Sequence, residues 1–328
     1  MGISSFSRNR FLLRMEAEAL NGGKTLYSVI TPVFNGGKYL TEAIESVLNN
    51  LCGLPFEYII VNDGSTDNTS EILERYQDKL RVIHQENRGE STAVNVGIQN
   101  ASGEYCLILN ADDLLITPLL FQKAAEVFAD EHIVLVYCNW VKVDDSGNIL
   151  SVQIPQEYSE YELIGRNRCL PSVGTIFRTS SARKVGLRNI RMKFASDYDF
   201  YLRLSRLGSF SKLDLTGGAW REHEGSTSAF TLDPRMAYER IDSITKFCSQ
   251  NELSKKLNRQ ALGSAYYFAS AVLARLDQPN SYRFLVRSFL LRRGIPENFR
   301  ISTFIFLIHS SYVSIVRVMK SLFIYGQK

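Results

Sequence analysis

The sequence predicts an α/β fold: a doubly wound, mostly parallel sheet flanked by helices, with a helical C-terminal extension. Three observations carry that expectation. The first 140 residues alternate short β-branched runs with amphipathic ones. The short runs are near-continuously apolar, as in strands whose two faces are both covered by helices. From about Pro234 onward the spacing is helical, with no clear strand.

The elements follow in order. "LYSVIT" (26–31) is a strand, and "GKYLTEAIESVLNN" (37–50) has helical spacing through Leu40, Ile44, Val47 and Leu48. "FEYIIV" (56–61) is a strand, and "STDNTSEILERYQ" (65–77) opens with capping residues and runs on as a helix. "LRVIH" (80–84), "EYCLILN" (104–110) and "IVLVYC" (133–138) are strands, separated by helices at 89–101 and 118–129. Five strands and four helices imply parallel βαβ units. After Trp140 the pattern loosens. It gives a hairpin around 145–148, a strand at 171–178 and a short helix at 179–186. A helix at 197–208 and a strand at 210–215 follow. The expected organisation is a leader at 1–24, an α/β domain at 25–233 and a helical region at 234–328.

Composition narrows the function. The chain has 328 residues, 45% hydrophobic and 22% charged, which is ordinary for a globular protein. Five scattered cysteines show no CxxC spacing, so neither a zinc site nor a disulfide framework is expected, and a reducing, cytoplasmic compartment is. The leader has no apolar stretch suited to a secretory signal. The most apolar run, "ISTFIFLIHSSYVSIV" (301–316), is shorter than the roughly 18–20 residues that span a bilayer. From Arg235 onward 15 Lys or Arg face 5 Asp or Glu, about +10, against a whole-chain charge of +4. A solvated helical surface accounts for this asymmetry, and so does peripheral contact with an anionic membrane. Nucleic acid is not an expected partner, because no binding motif accompanies the charge.

Ligands of open α/β sheets bind outside the carboxyl ends of the strands. Four successive strand ends here carry polar or turn-forming residues: Thr31-Pro32, Asn62-Asp63-Gly64-Ser65, His84 to Gly89, and Asn110-Ala111-Asp112-Asp113. Together they point to a polar cleft. The turn after the first strand, "TPVFNGGKYL", has neither the GxGxxG spacing of a dinucleotide site nor a Walker A loop. Clustered carboxylates offer another means of holding a diphosphate, by gripping a hard divalent cation. Asp112 is the candidate ligand, with Mn²⁺ or Mg²⁺ the candidate ion.

Four stretches, "VITPVFNGGKYLTEAIESVLNN", "IIVNDGSTDNTSEIL", "QENRGESTAVNVGIQNASGEYCLILNADDLL" and "ASDYDFYLRLSRLG", occur in that order. Together they resemble the family 2 nucleotide-sugar glycosyltransferases of the GT-A fold, over roughly residues 26–228. The resemblance implies an inverting transfer of a sugar from a nucleotide-diphosphate donor to an acceptor hydroxyl. The acceptor would be a saccharide or a lipid-linked molecule, in cell-surface polysaccharide or lipopolysaccharide synthesis. Carried onto this chain, it implies that Thr31, Pro32 and Val33 line the nucleobase pocket and that Asp63 bonds the base or ribose. It implies that Asn110 approaches the ribose or sugar, that Asp112 holds the cation, and that Asp197 is the catalytic base. His223 would serve the metal or the diphosphate, with Arg221 beside it on the donor side. Two departures stand out. Asn110 occupies a position often held by Asp, and Val94 one often held by an arginine that helps read the base, with Arg88 the nearby substitute. The choice among UDP, dTDP and GDP stays open. Two alternatives remain: a nucleotidyltransferase, which needs a basic Gly-rich loop after the first strand, and a non-catalytic sugar-nucleotide-binding module.

Overall fold

The computed structural model describes residues 25–224 and 232–292. The leader and the apolar run at 301–316 lie outside the described residues. The first elements alternate as β1 (Tyr27–Val33), α1 (Leu40–Leu51), β2 (Phe56–Asp63), α2 (Thr69–Glu74), β3 (Arg81–Gln85), α3 (Glu90–Asn100) and β4 (Tyr105–Ile108). A two-residue strand β5 (Leu114–Leu115), α4 (Leu119–Val127), β6 (Ile133–Val143) and β7 (Ile149–Gln153) follow. Then come β8 (Ile176–Arg178), α5 (Thr179–Lys184), α6 (Ser196–Leu204) and β9 (Ser209–Arg221). Three helices complete the series: α7 (Pro234–Gln250), α8 (Lys255–Arg275) and α9 (Ser281–Arg292).

Among the described residues nine strands form one sheet, in the order β3-β2-β1-β4-β8-β6-β9-β5, with β7 paired to β6. β3, β2, β1 and β4 are mutually parallel. β8 runs antiparallel to both β4 and β6, so β6 points the same way as β4. β9 is parallel to β6, while β5 and β7 run antiparallel to their neighbours. Most strands therefore run one way, as the βαβ pattern predicts. The order departs from a simple winding, because β8 inserts between β4 and β6. The strand expected at 171–178 shortens to three residues, since a turn with Gly174 at φ 84 occupies its first half.

Every residue of β1 is buried. α1 packs through Leu40, Ala43, Ile44, Val47 and Leu51, a helical repeat that puts one apolar stripe on the core. On the other face α3 rides close to β1, and a Cβ on Gly97 would sit 2.3 Å from Ile30 Cγ2. α2 starts at Thr69 rather than at Ser65, because residues 65–68 serve a loop described below.

The chain divides into two compact units. Among the described residues the first is 25–158, 170–190 and 203–224, and it holds the whole sheet. The second is 159–169, 191–202 and 232–292, so two segments from within the expected 25–233 domain belong with the C-terminal helices. In the second unit Asp233 caps α7 by accepting from Arg235 N at 2.8 Å, with Pro234 at the first helical position. Ser254 caps α8. Ala237, Ala269, Val272 and Leu273 join α7 to α8, and Ser264 Oγ ties α8 to the 159–169 segment by donating to Gly165 O at 2.6 Å.

Candidate active site

The loops after β1 and β2 are laced together by side chain to backbone bonds. Asn35 N donates to Ser65 Oγ at 3.0 Å, Gly36 N to Thr69 Oγ1 at 3.0 Å and Gly37 N to Asp67 Oδ2 at 2.9 Å. Thr66 N returns a bond to Asn35 Oδ1 at 2.8 Å. A Cβ on Gly37 would come within 1.9 Å of Asn68 Oδ1, so that side chain would have to turn away. These bonds hold the carboxyl ends of two adjacent strands as one rim.

Thr31 and Val33 share one face of β1. Thr31 Oγ1 and the Tyr58 hydroxyl share a buried hydrogen bond of 3.0 Å, and Val33 packs in the core. Pro32 is buried as well. The exposed group at this strand end is the next residue, Phe34, an aromatic ring left 51% exposed. The sequence reading passed over it. An exposed aromatic directly after a buried strand, on the ligand edge, was the available signal.

Asp63 ends β2 with a carboxylate that organises the neighbouring loop. Its Oδ1 accepts from Gln85 Nε2 at 2.6 Å and Arg88 N at 2.9 Å, and its Oδ2 accepts from Gly89 N at 2.8 Å. Gly89 adopts φ 88 at the start of α3. Three bonds leave about one of a carboxylate's four acceptor positions open. Val94 is wholly buried in α3, whereas Arg88 is exposed beside Asp63.

The adjacent carboxylates after β4 divide the work. Asp113 is only 3% exposed. It accepts from Arg221 N at 3.1 Å and from Asn110 Nδ2 at 3.2 Å. Burial, with the Asp112 charge second, pushes its carboxyl well above the usual range. Asn110 thus turns its amide inward to support Asp113. Asp112 stays half-buried and meets His223, whose Nε2 donates to Asp112 Oδ2 at 2.9 Å.

Arg221 is 1% exposed, and its guanidinium donates to Glu42 Oε2 at 2.6 Å, Asp112 O at 3.1 Å and Asp145 O at 3.0 Å. These bonds brace the Asp112 backbone, beside the donor-side role that the family resemblance implies for Arg221. Tyr39 lies between the two β9-end residues. Its ring centroid is 4.7 Å from the His223 ring and 4.8 Å from the Arg221 guanidinium carbon. Its hydroxyl bonds to Asp145, which also pairs with Lys38 Nζ at 2.6 Å. Asp145 sits at the tip of the β6–β7 hairpin. Nothing in its local sequence announces this contact.

The first unit therefore brings together Asn110, Asp112, Arg221 and His223, and it sets the β1 and β2 ends on the same sheet edge. Asp197 belongs to the second unit. It is the second residue of α6, half-buried, and its Oδ1 accepts from Tyr198 N at 2.6 Å. Asp199 turns inward and accepts from Ser243 Oγ at 3.3 Å, in keeping with a structural role.

Among the described residues no three His, Cys, Asp or Glu side chains group to hold a metal. The carboxylate and imidazole of Asp112 and His223 do face each other at hydrogen-bond distance. Oxygen and imidazole nitrogen both suit Mn²⁺, and oxygen suits Mg²⁺. Such ions are commonly held by one or two protein groups with substrate phosphates completing the shell, so the pair fits a cation that arrives with a diphosphate.

A family model described as glycosyl transferase family 2 matches residues 28–190. An uncharacterised glycosyltransferase of Rickettsia typhi is 31% identical over 268 residues, covering 75% of this chain and 78% of the relative. A chondroitin synthase of Escherichia coli is 31% identical over 196 residues, covering 58% of this chain and 28% of that protein. Among solved structures, Staphylococcus aureus TarS (residues 1–349) in complex with UDP-GlcNAc aligns with a TM-score of 0.60 at 20% identity, covering 82% of this chain and 90% of that one.

Proposed function

The chain belongs to glycosyl transferase family 2 and is a glycosyltransferase, and from that premise we propose an inverting transfer of a sugar from a nucleotide-diphosphate donor to an acceptor hydroxyl, in polysaccharide or lipopolysaccharide synthesis. The observation that carries the reading is the Asp112–His223 pair on the carboxyl edge of the sheet, braced by the buried Arg221. The chondroitin synthase likeness supports a polymer-building role, and the UDP-GlcNAc bound by TarS makes UDP-sugars the first donors to test.

Enzymes of this family generally use divalent cations. Here Asp112 and His223 would hold the ion, which when bound neutralises charge on the leaving diphosphate. Phe34 offers a π-face to the base, and Arg88 a cation near the nucleoside. Asn110 and Asp113 keep the Asp112 turn in one conformation. In the second unit Asp197 takes the proton of the acceptor hydroxyl as that oxygen bonds to the anomeric carbon. The bond from that carbon to the diphosphate oxygen breaks, and the nucleoside diphosphate departs. A positioned base contributes typically 10²–10⁴-fold. The first turn of a helix favours the carboxylate form of such a base.

Lys38 speaks against a nucleotidyltransferase. It is the single cation in the loop after β1, and it is paired with Asp145. No helix among the described residues is long and apolar enough to cross a membrane. α9 supports a peripheral contact with an anionic membrane. Its outer face exposes Tyr282, Val286 and Leu290 at four-residue spacing, flanked by exposed Arg283 and Arg287, with no acidic residue in the helix. Leu290→Glu is expected to weaken sedimentation with anionic vesicles at low salt; wild-type protein that ignores such vesicles would remove this contact.

The central test is a thermal-shift screen of UDP, dTDP and GDP with and without Mn²⁺ or Mg²⁺. One nucleotide should raise Tm in a cation-dependent way, and Asp112→Ala should abolish the cation-dependent part. Equal shifts with and without metal would overturn the cation assignment.

A further inference from the structure

We propose that Glu239, on α7 of the second unit, is the positioning residue for the base helix and sets where Asp197 stands. The inference rests on the reading of Asp197 as the base. Glu239 uses both oxygens on the chain that enters α6. Oε1 accepts from Lys193 N at 3.0 Å, and Oε2 accepts from Phe194 N at 2.7 Å and Ala195 N at 3.0 Å. Backbone N–H groups that precede a helix have no partner within the helix and must find one elsewhere. Here three in succession find the same carboxylate, ending two residues before Asp197.

The same turn of α7 grips the far side of Asp197 as well. The Arg240 guanidinium carbon lies 3.7 Å from the Tyr198 ring centroid and 5.0 Å from that of Phe268. Its Nε and Nη1 are buried without a hydrogen-bond partner, so stacking is what holds that end of the side chain. Ser243 reaches Asp199 from the next turn. Positions 239, 240 and 243 thus clasp residues 193–195, 198 and 199. Asp197 lies between the clasped groups, and among the described residues its Oδ2 accepts no hydrogen bond. A clasp that fixes both flanks and leaves one carboxylate oxygen clear is what a base needs, since its reach to the acceptor proton is set by a few tenths of an ångström.

Charge is essential to the clasp. Three donors converge on two acceptor oxygens, and a glutamine offers one oxygen and turns an NH₂ toward an N–H. Glu239→Gln keeps the volume and should loosen the entry to α6 without emptying any core position. The assay is release of nucleoside diphosphate from UDP-N-acetylglucosamine, with dTDP- and GDP-sugars in parallel. Glu239→Gln is expected to lower kcat about 10–100-fold, by misplacement of a reacting group. Donor KM should stay within about two-fold, because donor binding is assigned to the other unit, and Tm should show a cooperative transition. A folded Glu239→Gln protein with wild-type kcat would overturn the proposal. So would a kcat loss matched by an equal rise in donor KM, the pattern of general disruption. Should Glu239→Gln fail to fold, Arg240→Lys is scored on the same split: lowered kcat at constant donor KM supports the clasp, and unchanged kcat overturns it. Asp197→Asn separates the two levels. Turnover that survives it removes the base and the clasp together, whereas loss of turnover alongside an unaffected Glu239→Gln enzyme overturns the clasp alone.

Discussion

Around Asp112 the contacts run between charged and aromatic side chains from four stretches of chain: 38–42, 110–113, 145 and 221–223. Around Asp197 they run from two successive turns of one helix to the backbone and side chains of residues 193–199. The first arrangement is largely Coulombic. It answers to pH and salt. The second is largely geometric and answers to hydrogen-bond count and packing. Each suits its proposed task. A cation site must bind and release charge, and a base must be held in one place.

The largest expected effect lies on the geometric side. Asp197→Asn should lower transfer by about 10²–10⁴-fold while leaving the nucleotide-induced rise in Tm intact. Unchanged turnover would erase the division of labour. Next comes Asp112→Ala, which should weaken Mn²⁺-dependent nucleotide binding by roughly 10–100-fold in titration calorimetry. Chelating the metal should reproduce that loss in the wild type and add nothing to the variant. Arg221→Met probes the brace. It strips the charge-assisted bonds to Glu42, Asp112 O and Asp145 O and keeps the backbone bond from residue 221 N to Asp113 Oδ1. A loss of about 3 kcal/mol of stability is expected by denaturant titration, together with weaker cation binding.

Ser243→Ala should have a smaller effect, at most about 1 kcal/mol, with kcat falling only slightly, since Glu239 and Arg240 remain. The smallest concerns pH. Bonds from Lys38 and then Tyr39 hold the Asp145 carboxyl below its usual range. A lowered folded value means that its contribution is present above the unfolded pKa of about 3.9 and is lost as pH falls through the folded value. Asp145→Asn should therefore flatten part of the fall in Tm below about pH 4. A variant with the wild-type acid profile would separate the hairpin tip from the cation-side electrostatics.

Much of the fold was legible because its signals are local. Apolar runs in β1, β2 and β4 and the stripe of α1 follow from side-chain periodicity, and the hairpin at 145–148 follows from turn chemistry. The loop chemistry at the strand ends was legible for the same reason. Thr31, Asp63, Asn110 and Asp112 were found where strands stop, yet their jobs were less legible than their places. Thr31 spends its hydroxyl on Tyr58, Asn110 its amide on Asp113, and Asp63 most of its carboxylate on the 85–89 loop. Arg221 was expected near the donor, and its burial is visible only once Glu42, Asp112 and Asp145 are seen around it.

By itself, the sequence determined the α/β class, the polar edge at the carboxyl ends of the strands and the residues that carry charge there, because periodicity, capping and turn preferences act over a few neighbours. Only the tertiary structure decided that β8 threads between β4 and β6, that two inner segments join the C-terminal helices, and that Tyr39, Arg221 and Glu239 act as braces. Those outcomes depend on contacts between residues 40 to 184 positions apart. At that range the partner is selected by burial and hydrogen-bond satisfaction in the folded chain, which no local pattern encodes.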